Sequence, residues 1–194
     1  MRQQTIRKAD IIQPYFTEET AKESVEQKKK FRPWQKEIRW ISSIPLYIPF
    51  WLVDVEMELK DPRGRKERLT SQVYQIYTIL VNGLTNRGLT VRGEISTQRG
   101  EAQGIYLDDV VEKKDVRETA RLEALAGSKR MINPPPHRVL EGMRLVYYPL
   151  ALVQLTVGGK EEIQVFDYYR GGIDKYMMRY LRLKEKMEQK ETPA

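Results

Sequence analysis

The sequence predicts an α+β protein of two similar units, each a helix packed on a short antiparallel sheet, followed by a C-terminal amphipathic helix. Three observations lead there. A Y-x-P-x-x-L-V pattern on Tyr47, Pro49, Leu52 and Val53 recurs on Tyr147, Pro149, Leu152 and Val153, 100 residues later, and Glu19-Thr20-Ala21-Lys22 recurs as Glu118-Thr119-Ala120-Arg121, 99 residues later, in the same order. Both Y-x-P patterns open a run of alternating apolar and polar residues, the period of a half-buried strand. The chain ends in an apolar stripe at helical spacing. The expected units are 1–110 and 111–194.

Taken in order, Thr17 is expected to cap the first helix, with Glu18 and Glu19 against its positive end and Lys28, Lys29 and Lys30 against its negative end. A strand follows, in which Trp51, Val53, Val55, Met57 and Leu59 alternate with residues that are mostly polar, and Pro49 is read as a strand beginning, where a missing amide breaks no ladder bond. Asp61-Pro62-Arg63-Gly64 reads as the turn. Arg68 to Val81 fits a return strand on its β-branched and aromatic content, although Leu69, Val73, Ile76, Tyr77, Leu80 and Leu84 also fit one helix face. Leu89–Ser96 and Gly104–Leu107 suggest a hairpin around the polar, Gly-containing stretch Thr97–Gln103. Asp115 is expected to cap the second helix and Gly127 to end it. Three prolines, Pro134 to Pro136, stiffen the link to the second strand, where Pro149 is again read as a beginning and Gly158-Gly159 as a two-residue hairpin turn. Glu161–Tyr169 is the return strand. From Ile173 to about Lys190, the residues Ile173, Tyr176, Met177, Tyr180, Leu181, Lys184 and Met187 trace one stripe of the last helix.

Composition narrows the chemistry. The 194 residues carry 34 Lys+Arg against 27 Asp+Glu, a net charge of +7, with 40% hydrophobic residues. That suits a globular chain able to bury a core without disulfide or metal. With no Cys and a single His, thiol nucleophiles, Fe–S clusters, Cys-based zinc sites and multi-histidine metal sites are excluded. His137 has no recognisable catalytic neighbour, and Asp108-Asp109 reads as an ordinary loop pair ahead of a cation site. No P-loop, dinucleotide fingerprint, nucleophile elbow or H-E-x-x-H occurs. No cofactor or metal is expected. The amino terminus lacks the apolar core of a signal peptide, and the apolar run 44–55 is too short to span a bilayer, so a cytoplasmic protein without integral membrane association is expected.

Residues 1–100 hold 18 Lys+Arg and 12 Asp+Glu, net +6, so the basic excess lies in the first half. Lys60, Arg63, Arg65, Lys66 and Arg68 crowd the expected hairpin tip, with Lys28 to Arg32 and Lys36 a second cluster, and Trp34, Trp40 and Tyr74 offer stacking faces. Such a tip could neutralise phosphates, which makes nucleic-acid binding one expectation. It also suits a tip that must stay polar and blunt edge pairing. Tyr47, Trp51, Tyr147 and Tyr148 are either core aromatics or, if exposed together, a protein-interaction patch.

The units just described, with Val81-Asn82-Gly83-Leu84-Thr85 after the first and Val165-Phe166-Asp167 to Gly172 after the second, resemble PepSY-type modules over about a third of the chain. That resemblance implies a helix on a short antiparallel sheet, a strand ending in a D/N-G-x-T/S-G turn, and a noncatalytic role in binding or regulating other proteins, often outside the cytoplasm. Asn86 stands where the turn glycine is expected, the second copy lacks the Thr, and no functional residue carries over. The reading is therefore a noncatalytic interaction or regulatory module that binds a protein partner or itself, with nucleic-acid binding through the basic hairpin as the alternative.

Overall fold

In a computed structural model, which describes residues 4–27, 37–59, 73–91, 94–108, 110–128 and 136–191, the chain runs β1(Thr5–Ile12), α1(Glu18–Gln27), β2(Ile38–Leu59), β3(Val73–Asn82), β4(Gly88–Val91), β5(Thr97–Tyr106), α2(Lys113–Ser128), β6(His137–Val139), β7(Arg144–Val157), β8(Lys160–Asp167), β9(Gly172–Ile173), α3(Lys175–Glu191). The nine strands among the described residues belong to one mixed sheet. This overturns the expected pair of short sheets.

The two strands that carry Y-x-P are neighbours in this sheet. β2 and β7 pair antiparallel from Ile38↔Val157 to Leu52↔Arg144, with Tyr47↔Pro149, Ile48↔Tyr148 and Pro49↔Tyr147 at the middle. β1 and β5 form a second antiparallel ribbon, from Thr5↔Gly104 to Ile12↔Thr97. Each ribbon strand then joins the central pair in parallel, β5 beside β2 at Tyr47↔Tyr106 and β1 beside β7 at Ile11↔Tyr147. β2, β5, β1 and β7 therefore close into a ring, with β3 and β4 continuing from β2, and β8 and β9 from β7.

Hydrogen bonding repeats between the two sides. Asn82 Oδ1 accepts from the amides of Leu84 and Thr85 at 2.9 and 3.1 Å, and Asp167 Oδ1 from those of Tyr169 and Arg170 at 2.8 and 2.9 Å. Both are Asx turns. Each closes four residues on at a left-handed residue, Asn86 at φ 52° and Gly171 at φ 75°, whose amide bonds back to the carbonyl of Asn82 or Asp167. Asn tolerates that conformation better than most residues, which is how it stands where glycine is expected.

Several local expectations change. Pro49 and Pro149 lie inside long strands. N–H and C=O of one strand residue point to the same side, and Pro49 O accepts from Gly83 N at 2.8 Å, so the amide that proline lacks would face away from β7, where β2 changes neighbour from β5 to β3. Pro149 O accepts from Tyr168 N at 3.3 Å in the same way. The polar stretch Thr97–Gln103 is strand, not turn, because the ribbon it forms with β1 is wet on much of both faces and does not demand alternating apolar residues. Asp115 sits within the first turn of α2 and Gly127 within its last. Thr17 does cap α1, its hydroxyl accepting from Thr20 N at 3.3 Å. β3 forms at Val73–Asn82 as a strand.

Helix placement ties the halves together. Ala21 and Val25 of α1 pack on Ala151, Val153, Leu155 and Phe166, which belong to β7 and β8. Val116, Ala120 and Ala124 of α2 pack on Trp51, Val53, Val55, Ile79 and Val81, which belong to β2 and β3. Small residues on both helices let the backbones approach the sheet closely. The opposite face carries the central core, where Ile12, Leu46, Ile48, Leu80, Tyr148 and Val165 meet Met177 of α3. A bulge between Trp40 and Ser42 turns the Trp40 indole onto the α1 side.

Two outcomes follow from this exchange of cover. Separately expressed 1–110 and 111–194 should each lack a cooperative urea transition by circular dichroism, and should regain one on mixing. Phe166→Ala should lower the stability of the whole chain by about 3–5 kcal/mol, since the ring is fully buried between α1 and the sheet.

Candidate functional site

The alternation of β2 and β7 places Tyr47 and Tyr147 on the helix-bearing face, directly across from Pro149 and Pro49. The Tyr47 and Tyr106 rings stack at 4.7 Å and 26°, and Tyr147 meets Tyr106 edge-on at 5.0 Å. Arg7 of β1 lies over the Tyr106 ring at 5.0 Å, and its guanidinium forks onto both Asp108 carboxylate oxygens at 2.5 and 2.7 Å. The Tyr106 hydroxyl donates to Ala102 O at 3.0 Å. Burial raises the Tyr47 and Tyr106 phenols, which keeps both rings neutral at ordinary pH. This cluster joins the β1–β5 ribbon to the central strands through its ring contacts, with Arg7 paired to Asp108 and the Tyr106 hydroxyl bonded within β5.

The other two aromatics singled out in the sequence are core. Trp51 lies in the α2 cluster at 7% exposure, with Lys113 Nζ 5.6 Å from the ring centre. Tyr148 faces the central core and donates to both oxygens of Asp167 at 3.0 and 3.1 Å. Asp167 is itself buried. Desolvation pushes its carboxyl upward, partly opposed by the Arg170 and Tyr169 amides and the Tyr148 hydroxyl. His137 lies on β6, edge-on to Tyr77. Lys60, Arg63, Arg65, Lys66 and Arg68, the second basic cluster, Trp34 and Asp109 fall outside the described residues. Among the described residues no group of three His, Asp or Glu side chains converges as a metal site, and no helix is long and apolar enough to cross a membrane.

Exposed apolar area lies instead on α3. The stripe read from the sequence divides there: Met177 is buried and Leu181 half-buried against the sheet, while Tyr176 and Met187 are 48% and 63% exposed, and Leu183, which lay outside that stripe, is 52% exposed. Tyr176, Leu183 and Met187 lie on one side of the helix over three turns, with Tyr180 between them half-buried against the central core, a 4-3-4 spacing of the kind found in helix–helix seams. Lys175, Arg179, Arg182 and Lys186 follow the same spacing one residue earlier, all exposed, so a basic line runs beside the seam. Arg87, from the turn before β4, lies over the Tyr176 ring at 4.9 Å. Sequence reading missed the division because one apolar stripe, seen in one dimension, does not say which edge the protein's own sheet will cover. In comparisons with protein-family models, curated proteins and solved structures, none matches this chain.

Two measurements test this site. Because the folded state holds the Asp167 proton more tightly than the unfolded chain, whose carboxyl titrates at about 3.9, its stabilising contribution is full below that value and lost as pH rises through the raised one. Asp167→Asn should therefore flatten the dependence of the urea midpoint on pH above about 4. A Cβ at Gly104 would lie 2.7 Å from both Pro45 O and Tyr47 Cε2, so Gly104→Ala should cost about 1–3 kcal/mol and weaken the near-ultraviolet dichroism of the tyrosine stack.

Proposed function

We propose that the protein is a noncatalytic interaction module whose binding element is the outer face of α3. The observation that carries the reading is the exposed seam of Tyr176, Leu183 and Met187 beside the basic line. Apolar side chains aligned over three turns on an otherwise charged helix favour a partner helix, and the spacing provides its anchors. Two copies of this chain meeting through their seams would bring two basic lines together, so charge favours a partner with an acidic-flanked helix over self-association. The resemblance to PepSY-type modules, with their binding and regulatory roles, runs the same way. The reading takes the protein as cytoplasmic, in keeping with a chain that has no Cys. Tyr47 and Tyr147 act in it as scaffold, since their rings are committed to Tyr106.

A photo-crosslinking residue at Leu183 of the full chain, expressed in its own host, should give discrete protein adducts that a control at exposed Glu161 does not. Those adducts should be lost when Arg179, Arg182 and Lys186 are replaced by Glu. Adducts indifferent to the charge reversal, or none above the control, overturn the reading. Binding to random single-stranded or duplex DNA that weakens steeply with salt and ignores Leu183→Asp would move the assignment to the nucleic-acid alternative.

A further inference from the structure

On the sheet side of α3, a separate cleft of about 360 Å³ opens between the helix and the central core. It reaches down to Leu46, Ile105 and Leu107, which are buried, and is walled by Ile163 of β8 and roofed by Met178 and Leu181 of α3. Its polar lining side chains are Arg182, Lys184 and Glu185, all on α3. The interior thus offers aliphatic carbon and a thioether with no aromatic ring, which gives water no partner and suits a flexible alkyl chain. Ile163 is 46% exposed, an apolar wall in contact with solvent that such a chain would cover.

Arg182 sets the other end of the ligand. It has no ion pair or hydrogen bond among the described residues, and its planar fork matches a carboxylate in two parallel bonds. With Lys184 and Glu185 also in the lining, its charged groups sum to one positive charge, which matches a head carrying a single negative charge. We infer that the cleft beneath α3 is a binding site for an unbranched alkyl monocarboxylate, with its tail against Leu46 and Leu107 and its head on Arg182. The cleft shares Arg182 with the basic line beside the docking seam, whereas the apolar seam residues Tyr176, Leu183 and Met187 do not line it.

The test is a titration of the full chain, labelled with 13C at the methionine methyls, with octanoate, decanoate and dodecanoate below their micelle concentrations. The Met178 methyl should shift saturably, while exposed Met187 should stay in place. Affinity should tighten about three- to fourfold per added methylene until the cleft is full. Arg182→Glu should weaken decanoate about tenfold, the loss of one charge-assisted contact, and decanol should bind the original protein about as weakly. Ile163→Trp, at a partly exposed wall that tolerates a larger ring, should fill the cleft and abolish the shift with the fold retained. No saturable change at Met178, or one that survives Ile163→Trp, overturns the site. Equal shifts at Met178 and Met187 show a detergent effect and overturn it as well. Decanol binding as tightly as decanoate overturns the role of Arg182.

Discussion

The antiparallel pairing of β2 with β7 is the constraint on which the rest of this structure depends. It joins residues about a hundred positions apart over fourteen register pairs, and both outer wings of the sheet grow from it. So long a non-local ladder costs chain entropy before it returns burial, and the return comes from both faces at once. Val53 and Val55 are sealed by α2, Val153 and Leu155 by α1, and Ile48, Leu46 and Leu150 by the central core. Neither half completes its own core, because each helix covers strands of the other.

The centre of this ladder is also where the protein places its least ordinary chemistry. Two Tyr–Pro cross-strand pairs stand together, and the prolines are tolerated because the missing amides face a changeover between neighbouring strands. At the same place β5 delivers Tyr106 into the gap between Tyr47 and Tyr147, and β1 delivers Arg7 onto it. Ring stacking, a cation over a ring and an ion pair exposed enough to be screened make this a joint that fixes geometry more than a large source of stability. Gly104 lacks a side chain because the Tyr47 ring and the Pro45 carbonyl occupy that space.

With these aromatics committed to the scaffold, α3 is left with two different surfaces. One flank carries an exposed apolar seam and a line of cations that includes Arg182. The other leans over an incompletely filled cleft whose depth belongs to the central core. Met177 anchors the helix between these two surfaces, so under the proposed roles a partner on one and a ligand in the other would be held by the same rigid element.

Local patterns were legible in the residues alone. Alternation marked β2 and β7, the Thr17 cap marked the start of α1, β-branched content marked β3, the paired glycines marked the turn at Gly158, and the 3.6-residue period marked α3. Composition likewise ruled out cysteine and multi-histidine chemistry, since that depends on counting atoms and not on arranging them. Only the tertiary structure decided that the two Y-x-P strands lie side by side, that the polar stretch Thr97–Gln103 is a strand, that Trp51 and Tyr148 are buried, and that the α3 stripe is split between core and solvent. The reason is physical: periodicity reports which residues share a face of one element, whereas register, strand neighbours and the cover of each face are set by free-energy terms between residues a hundred positions apart, which no local window contains.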